Sequence, residues 1–258
     1  MLSLTTGQIE AWLAAYLWPL LRIGACLMVA PIFSARFVPP RYRIVLAGAV
    51  TVLVAPLLPP LPAVSPFSGP GLAITVQQLL IGAAMGFVLQ IVFDSLAMGG
   101  QLLGNTMGLS FAFNVDPLRG TTAPVLGQFY TLIATLTFLA LDGHIAILQV
   151  MIDGFRSLPV GTTGLGSEGY WQIAGWGSQL FRGALMVALP GLAALLVVNL
   201  AFGVVSRAAP SLNLFAIGFP VTLVAGLMIV LFGLPAVQDG FVALMRESLD
   251  FVAGLMRN

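Results

Sequence analysis

Apolar positions in this chain come in long unbroken runs, at about 9–33, 44–58, 72–98, 125–141, 181–205 and 219–234. Crossing a hydrocarbon layer of ~30 Å takes ~20 apolar residues in a helix, so the six runs predict membrane-type helices with approximate ends. An outer-membrane barrel would instead alternate in and out over segments of ~10 residues. The predicted fold is all-α: one helical domain over 1–258, with about six main apolar helices.

The breaks between runs carry turn chemistry: Pro39-Pro40, the proline-rich stretch 59–70, Asp116-Pro117, Asp142-Gly143, the glycine-rich stretch 161–169, and Ala209-Pro210. Proline lacks a backbone donor and restricts its predecessor, so helices are expected to stop or kink there, and Pro31 and Pro190 interrupt or bound others. After Pro235 the pattern changes. Phe241, Leu244, Met245, Leu249, Val252 and Met256 share one helical face and Arg246, Glu247, Asp250 and Arg257 the other. This predicts a separate amphipathic helix over about 238–257 that lies on a membrane or docks on a partner. At the other end, Thr5 and Gln8 resemble a capping box that opens the first helix. No basic residue or small-residue cleavage site precedes that helix, so it is expected to stay in the mature protein.

Composition agrees with a non-aqueous surrounding: 59% of the 258 residues are hydrophobic and 7% charged, against roughly 25% charged in an average soluble domain. A net charge of +1 leaves no basic stripe for phosphate backbones, which excludes nucleic-acid binding. All ten basic residues are arginine, which suits paired charges inside an interface or follows from genome composition. Arg36, Arg41 and Arg43 would place the first connecting loop inside and both termini outside. Cys26 is the only cysteine, which rules out an internal disulfide and any cysteine-based metal site. No nucleotide or metal motif is present, and no cofactor is expected.

Charges inside apolar runs are costly and point to function by default, which singles out Arg22 and Asp94. They could neutralise each other or pair with another subunit. Gly82 with Gly86, and Gly100, Gly104 and Gly108, recur every four residues and predict small ridges for close helix contact. Ser110 and His144 are the one nucleophile and base that could form an intramembrane protease dyad, but each has an ordinary structural explanation. Two aromatics, Phe111 and Phe113, stand in a short loop at about 110–117 and must be buried, beneath neighbouring helices or as a plug in a pore.

Pro190-Gly191 through Asn199, then Gly203 to Arg207, Pro210, Asn213, Gly218 and Pro220, resemble the FliR family, the export-gate subunit of flagellar type III secretion, called SctT in injectisomes. Arg22 with Pro31-Ile32-Phe33 and Pro39 fits the same pattern. So does the stretch from Gly108 through Phe111, Phe113, Asp116-Pro117 and Pro124 to Asp142-Gly143-His144. The resemblance spans nearly the full length, and the order of its motifs is more specific than any one of them.

The resemblance implies a non-enzymatic gate at the flagellar basal body in the bacterial inner membrane. One copy would join several copies of FliP and FliQ in a hetero-oligomeric ring of tilted hairpins, beside FlhB, FlhA and the proximal-rod protein FliE. Unfolded exported proteins would pass through its centre. The same resemblance makes Ser110, Phe111, Ala112, Phe113, Asn114, Val115 and Asp116 the pore plug, with both phenylalanines facing the pore. It also implies an assembly largely above the bilayer plane, so that six simple spans would not persist in the complex and Arg22 and Asp94 would become intersubunit features. The first run and the plug favour the flagellar over the injectisome branch. A permease for a small solute is the alternative, although the chain's halves do not repeat and polar groups for a solute are few; a purely structural membrane subunit is another.

Overall fold

The computed structural model describes residues 6–35, 38–59, 61–62, 64–109, 124–209 and 214–257. These form eight helices and no strand: α1 Thr6–Val29, α2 Pro40–Val54 with a 3-10 turn at Ala55–Leu57, α3 Gly69–Thr106, α4 Val125–Ala140, α5 Gly143–Ser157, α6 Ser167–Trp176, α7 Ser178–Ala208 and α8 Leu214–Leu255. Five helical stretches are long and apolar enough to cross a membrane, or six if α4 and α5 count as one broken span. Thr5, half of the expected capping box, and Arg36 lie outside the described residues.

By contact the chain falls into two compact units. The first comprises Met1–Ile91, Asp142–Gly177 and Arg246–Asn258, and the second Val92–Leu141 and Ser178–Met245. In the first, α1 runs alongside α3 in the same direction. Trp18 donates to Thr75, Arg22 to Gln78, and Gly86 faces the Cys26 carbonyl, so contacts rise together along both helices. A Cβ at Gly86 would stand 2.7 Å from that carbonyl oxygen and 2.8 Å from the Ala30 nitrogen, and Gly82 meets the Arg22 carbonyl in the same way. The Gly82/Gly86 ridge therefore does what its spacing predicts: it lets two backbones touch. Trp176 at the end of α6 stacks on Phe251 at 4.1 Å and donates to the Val88 carbonyl.

In the second unit the lower part of α3 is the centre. Phe93 meets Phe138 and Phe241 edge-on at 5.7 and 5.3 Å, the favoured aromatic geometry. Gly100 faces the Leu126 carbonyl of α4 at 2.7 Å from a built Cβ, and Gly104 faces the Leu126 side chain at 3.5 Å. Gly108 departs from the expected ridge. The helix ends at Thr106, and Gly108 has φ 79, a left-handed conformation that glycine adopts without the Cβ clash other residues meet. It stops α3 instead of lengthening its contact face.

Two further features differ from the run pattern. α5 and α6 occupy sequence between the fourth and fifth apolar runs, to which the run pattern assigns no helix. The expected break at Pro235 is absent, since α8 runs through Pro220 and Pro235 as a single helix of 42 residues. Its terminal stretch is amphipathic as predicted, with Phe241, Leu244, Met245, Val252 and Met256 buried and the four charges exposed. Part of its apolar face packs on the chain's own helices: Met256 at Gly154 of α5, Leu255 at Gly169 of α6, and Phe251 on Trp176. Those helices, missing from the sequence reading, supply the apolar partner the face needs.

Candidate functional site

The expected plug, Ser110 to Asp116, and Pro117 lie outside the described residues, but the second unit fixes both ends of the segment that carries them. Upstream, Met107 is buried, and a Cβ at Gly226 of α8 would meet its side chain at 2.5 Å. Gly108 then turns the chain out of α3. Downstream, Pro124 caps α4 in extended conformation, and Leu126 and Gly127 pack on α3 at Gly100 and the Ala97 carbonyl. The segment thus leaves and re-enters the same packed helix pair.

Beside it stands an antiparallel hairpin of α7 and α8. Met186 packs at Gly240, Gly191 at Ile229 and Phe202 at Gly218, a register in which one helix descends as the other climbs. From Gly183 to Gln238 its only charge is Arg207, in the last turn of α7, where a cation complements the helix C-terminus. Pro190 interrupts the α7 ladder above an apolar cavity of ≈ 190 Å³ lined by Leu103, Tyr130, Met186, Gly191, Ile229 and Gly233. Outward the hairpin shows Leu196, Val197, Leu200 and Val204 on α7 and Val224, Leu227, Met228, Leu231 and Phe232 on α8. Asn199 is exposed among them, a single amide on an apolar wall. Gly218 and Pro220 lie in the first turns of α8; Pro210 and Asn213, at the tip, lie outside the described residues.

Such exposure is not uniform. The α3 span is 67% buried, whereas the spans of α2 with its 3-10 turn, of α6 with α7, and of α8 are 17%, 22% and 17% buried. Contiguous outward apolar surface on that scale marks contact with lipid or protein.

Arg22, in the first unit, is fully buried. Nε donates to Gln78 Oε1 at 2.7 Å, and Nη1 donates to the carbonyls of Gly154 and Leu158 at 3.2 and 2.9 Å. The guanidinium carbon lies 4.3 Å from the Phe155 ring centroid, a cation–π contact. Gly154 lies in the last turn of α5 and Leu158 is its C-cap, so Arg22 closes the carbonyl end of a helix from another element. The expected neutralisation by Asp94 is not how Arg22 is held. Its partners are an amide, two carbonyls and a ring, because a helix C-terminus already offers partial negative charge; Asp94 is exposed.

Sequence reasoning missed α5, whose signal was the spacing of Gly143, Ile147, Met151, Gly154 and Phe155, all buried on one face. Pro31 and Pro39 frame the α1–α2 turn, in which Ile32 adopts φ 69, and Arg43 Nη2 donates to the carbonyls of Ser34, Ala35 and Val38. His144 sits half-buried in the first turn of α5. Its proposed partner Ser110 lies outside the described residues, and among these no three His, Cys, Asp or Glu side chains gather as metal ligands.

The family profile of bacterial export proteins, family 1, matches residues 13–248. The chain is 39% identical to the flagellar biosynthetic protein FliR of Escherichia coli (strain K12), over 99% of its own length and 98% of that protein. It is 36% identical to the FliR of Pectobacterium carotovorum, with the same coverage, and 28% identical to that of Bacillus subtilis (strain 168), over 80% of each.

Proposed function

The chain belongs to the bacterial export proteins, family 1, and on that premise we propose that it is a core subunit of the flagellar protein export gate in the inner membrane. In this reading it joins FliP and FliQ in a channel for unfolded flagellar subunits, works with FlhA, FlhB and the rod protein FliE, and acts by shaping a passage, not by catalysis. The observation that carries the reading is the α7–α8 hairpin. It has one charge between Gly183 and Gln238 and apolar side chains facing outward on both helices, so its surface calls for neighbouring helices.

Co-expression of the tagged chain with FliP and FliQ of the same organism, followed by native mass spectrometry, tests the assembly. The expected product is a single species with one copy of this chain and several of each partner. Recovery of the chain alone or as its own oligomer would overturn the proposal and bring forward the permease reading. The pore role belongs to the 110–116 segment, anchored at Met107 and Leu126. Replacing Phe111 and Phe113 by Ala is expected to raise the ion conductance of membranes carrying the complex, and an unchanged conductance would rule out a plug.

A further inference from the structure

The cavity beneath Pro190 lies wholly within the second unit, and its walls run from the core to the surface. Leu103 of α3 and Tyr130 of α4 form a buried floor, while Met186 and Pro190 of α7 and Ala236 of α8 stand exposed at its mouth. Missing side chains leave the space. A Cβ at Gly191 would stand 2.7 Å from Leu103 Cδ1, but one at Gly233 would meet nothing within 4 Å.

Lining, size and depth together define what fits. No charged side chain lines the cavity and Tyr130 brings its only hydroxyl, so a polar ligand would give up hydration without gaining partners. An apolar cavity of ~150 Å³ stays dry and admits a benzene-sized molecule; this one measures ≈ 190 Å³. Pro190 lies 12 residues from the start of α7 and 18 from its end, and Gly233 lies 19 and 22 from the ends of α8. At ~1.5 Å per residue every helix end is ~18 Å or more away, over half of a ~30 Å hydrocarbon layer. In a bilayer that depth holds the free ends of acyl chains. A side chain carried on a neighbouring helix fits less well: Phe232, 77% exposed and one turn from both Ile229 and Ala236, holds a second backbone off the mouth, whereas a bare methylene chain passes beside it.

We propose that the terminal segment of a phospholipid acyl chain occupies this cavity, entering past Ala236 and ending on Leu103 and Tyr130. The tail fills a volume that the glycines of α7 and α8 leave open, and it ties the hairpin to α3 and α4 through lipid.

The test uses the full chain, alone and co-purified with FliP and FliQ, in vesicles of phosphatidylethanolamine and phosphatidylglycerol that carry a phosphatidylcholine with a diazirine at the end of one acyl chain. After irradiation, labelled residues are read by peptide mass spectrometry. Label is expected at Leu103 and Tyr130 as well as on the outer wall, and a probe with its diazirine beside the ester is expected to leave both floor residues unlabelled. Gly233→Leu fills the cavity from a position where a side chain meets no obstacle. It is expected to lose the floor label, keep the label at Phe232 and show a thermal midpoint no lower than wild type; Gly233→Ala, which fills less, is expected to keep part of the floor label. Label confined to the outer wall, floor label from both probes alike, or floor label unchanged in Gly233→Leu would overturn the site. Floor label in the chain alone but not in the complex would also overturn it, because the cavity would then belong to a partner's side chain.

Discussion

The Arg22 nest and the α7–α8 hairpin answer the same problem in opposite ways. Around Arg22, a costly charge is met almost entirely by the chain's own groups: the Gln78 amide, two carbonyls closing α5, and the face of Phe155. Along the hairpin there is almost no charge to satisfy, and the apolar side chains that a soluble domain would turn inward face out. The first region is built to hold itself together. The second is built to be covered. Mean hydropathy cannot distinguish them, because α3 and α8 are both strongly apolar; only the share of each that is buried does.

The difference can be broken most decisively on the hairpin. Val197→Asp puts a charge at a position 71% exposed, where the fold of the isolated chain has little to lose. In a lipid-facing or helix-facing setting the same charge costs about 3 kcal/mol or more, over a hundredfold in an assembly equilibrium. The expected outcome is loss of co-purification with FliP and FliQ and of flagellar export, with helical circular dichroism retained. Export at the normal level would mean that this wall faces water.

Arg22→Met tests the opposite region. It keeps an unbranched apolar stem but leaves the Leu158 carbonyl and the Gln78 oxygen without their donor, each costing about 1–3 kcal/mol when buried, while the Gly154 carbonyl keeps the Leu158 N–H. A loss of about 3 kcal/mol corresponds to a thermal midpoint lower by roughly 6–12 °C in a chain of this size. The contrast is sharpened if the loss appears in the isolated chain, before any partner is added.

How much of this contrast is legible in the sequence depends on what kind of atom carries it. The apolar runs and the Gly82/Gly86 and Gly100/Gly104 faces are written in side-chain type and spacing. The partners of Arg22 are not, because two are backbone carbonyls and one is an amide, and a search for carboxylates leads to Asp94. α5 escaped for a related reason. Its 15 residues include His144, Gln149, Asp153 and Arg156, so a search for long apolar runs passes over a helix buried along one face. Gly108 fits a four-residue ridge on paper, yet its φ of 79 makes it a helix stop, and backbone conformation leaves no mark in a spacing count. The plug segment was read from family resemblance, with two loop aromatics as the only local signal.

Gly86→Val separates backbone contact from side-chain packing within the first unit. A Cβ there meets the Cys26 oxygen at 2.7 Å, the Ala30 nitrogen at 2.8 Å and the Val29 Cβ at 2.9 Å, so two of three obstacles are backbone and cannot rotate away. α1 and α3 have to move apart, at about 1–3 kcal/mol. Gly203, which has nothing within 4 Å, is the matched control on the hairpin. Gly203→Val is expected to leave the midpoint of the isolated chain within about 1 kcal/mol of wild type, the β-branched propensity difference, while impairing assembly if that face is covered.

The smallest effect is expected at Ile32, and its sign is informative. A β-branched residue at φ 69 is a steric outlier, held because the turn between Pro31 and Pro39 is fixed elsewhere. Arg43 Nη2 supplies that fixing through three carbonyls at 2.8–3.0 Å. Ile32→Gly removes a strain of about 1–2 kcal/mol but adds unfolded-chain entropy of about 0.5–1 kcal/mol and loses a half-buried side chain, so the terms nearly cancel. The expected midpoint shift is within about 3 °C of wild type. A clear loss would mean that the Ile32 side chain, not the Arg43 clamp, holds the turn between α1 and α2. That would extend the self-sufficiency of the first unit from its buried charge to a connecting loop whose backbone strain is held in place by packing alone.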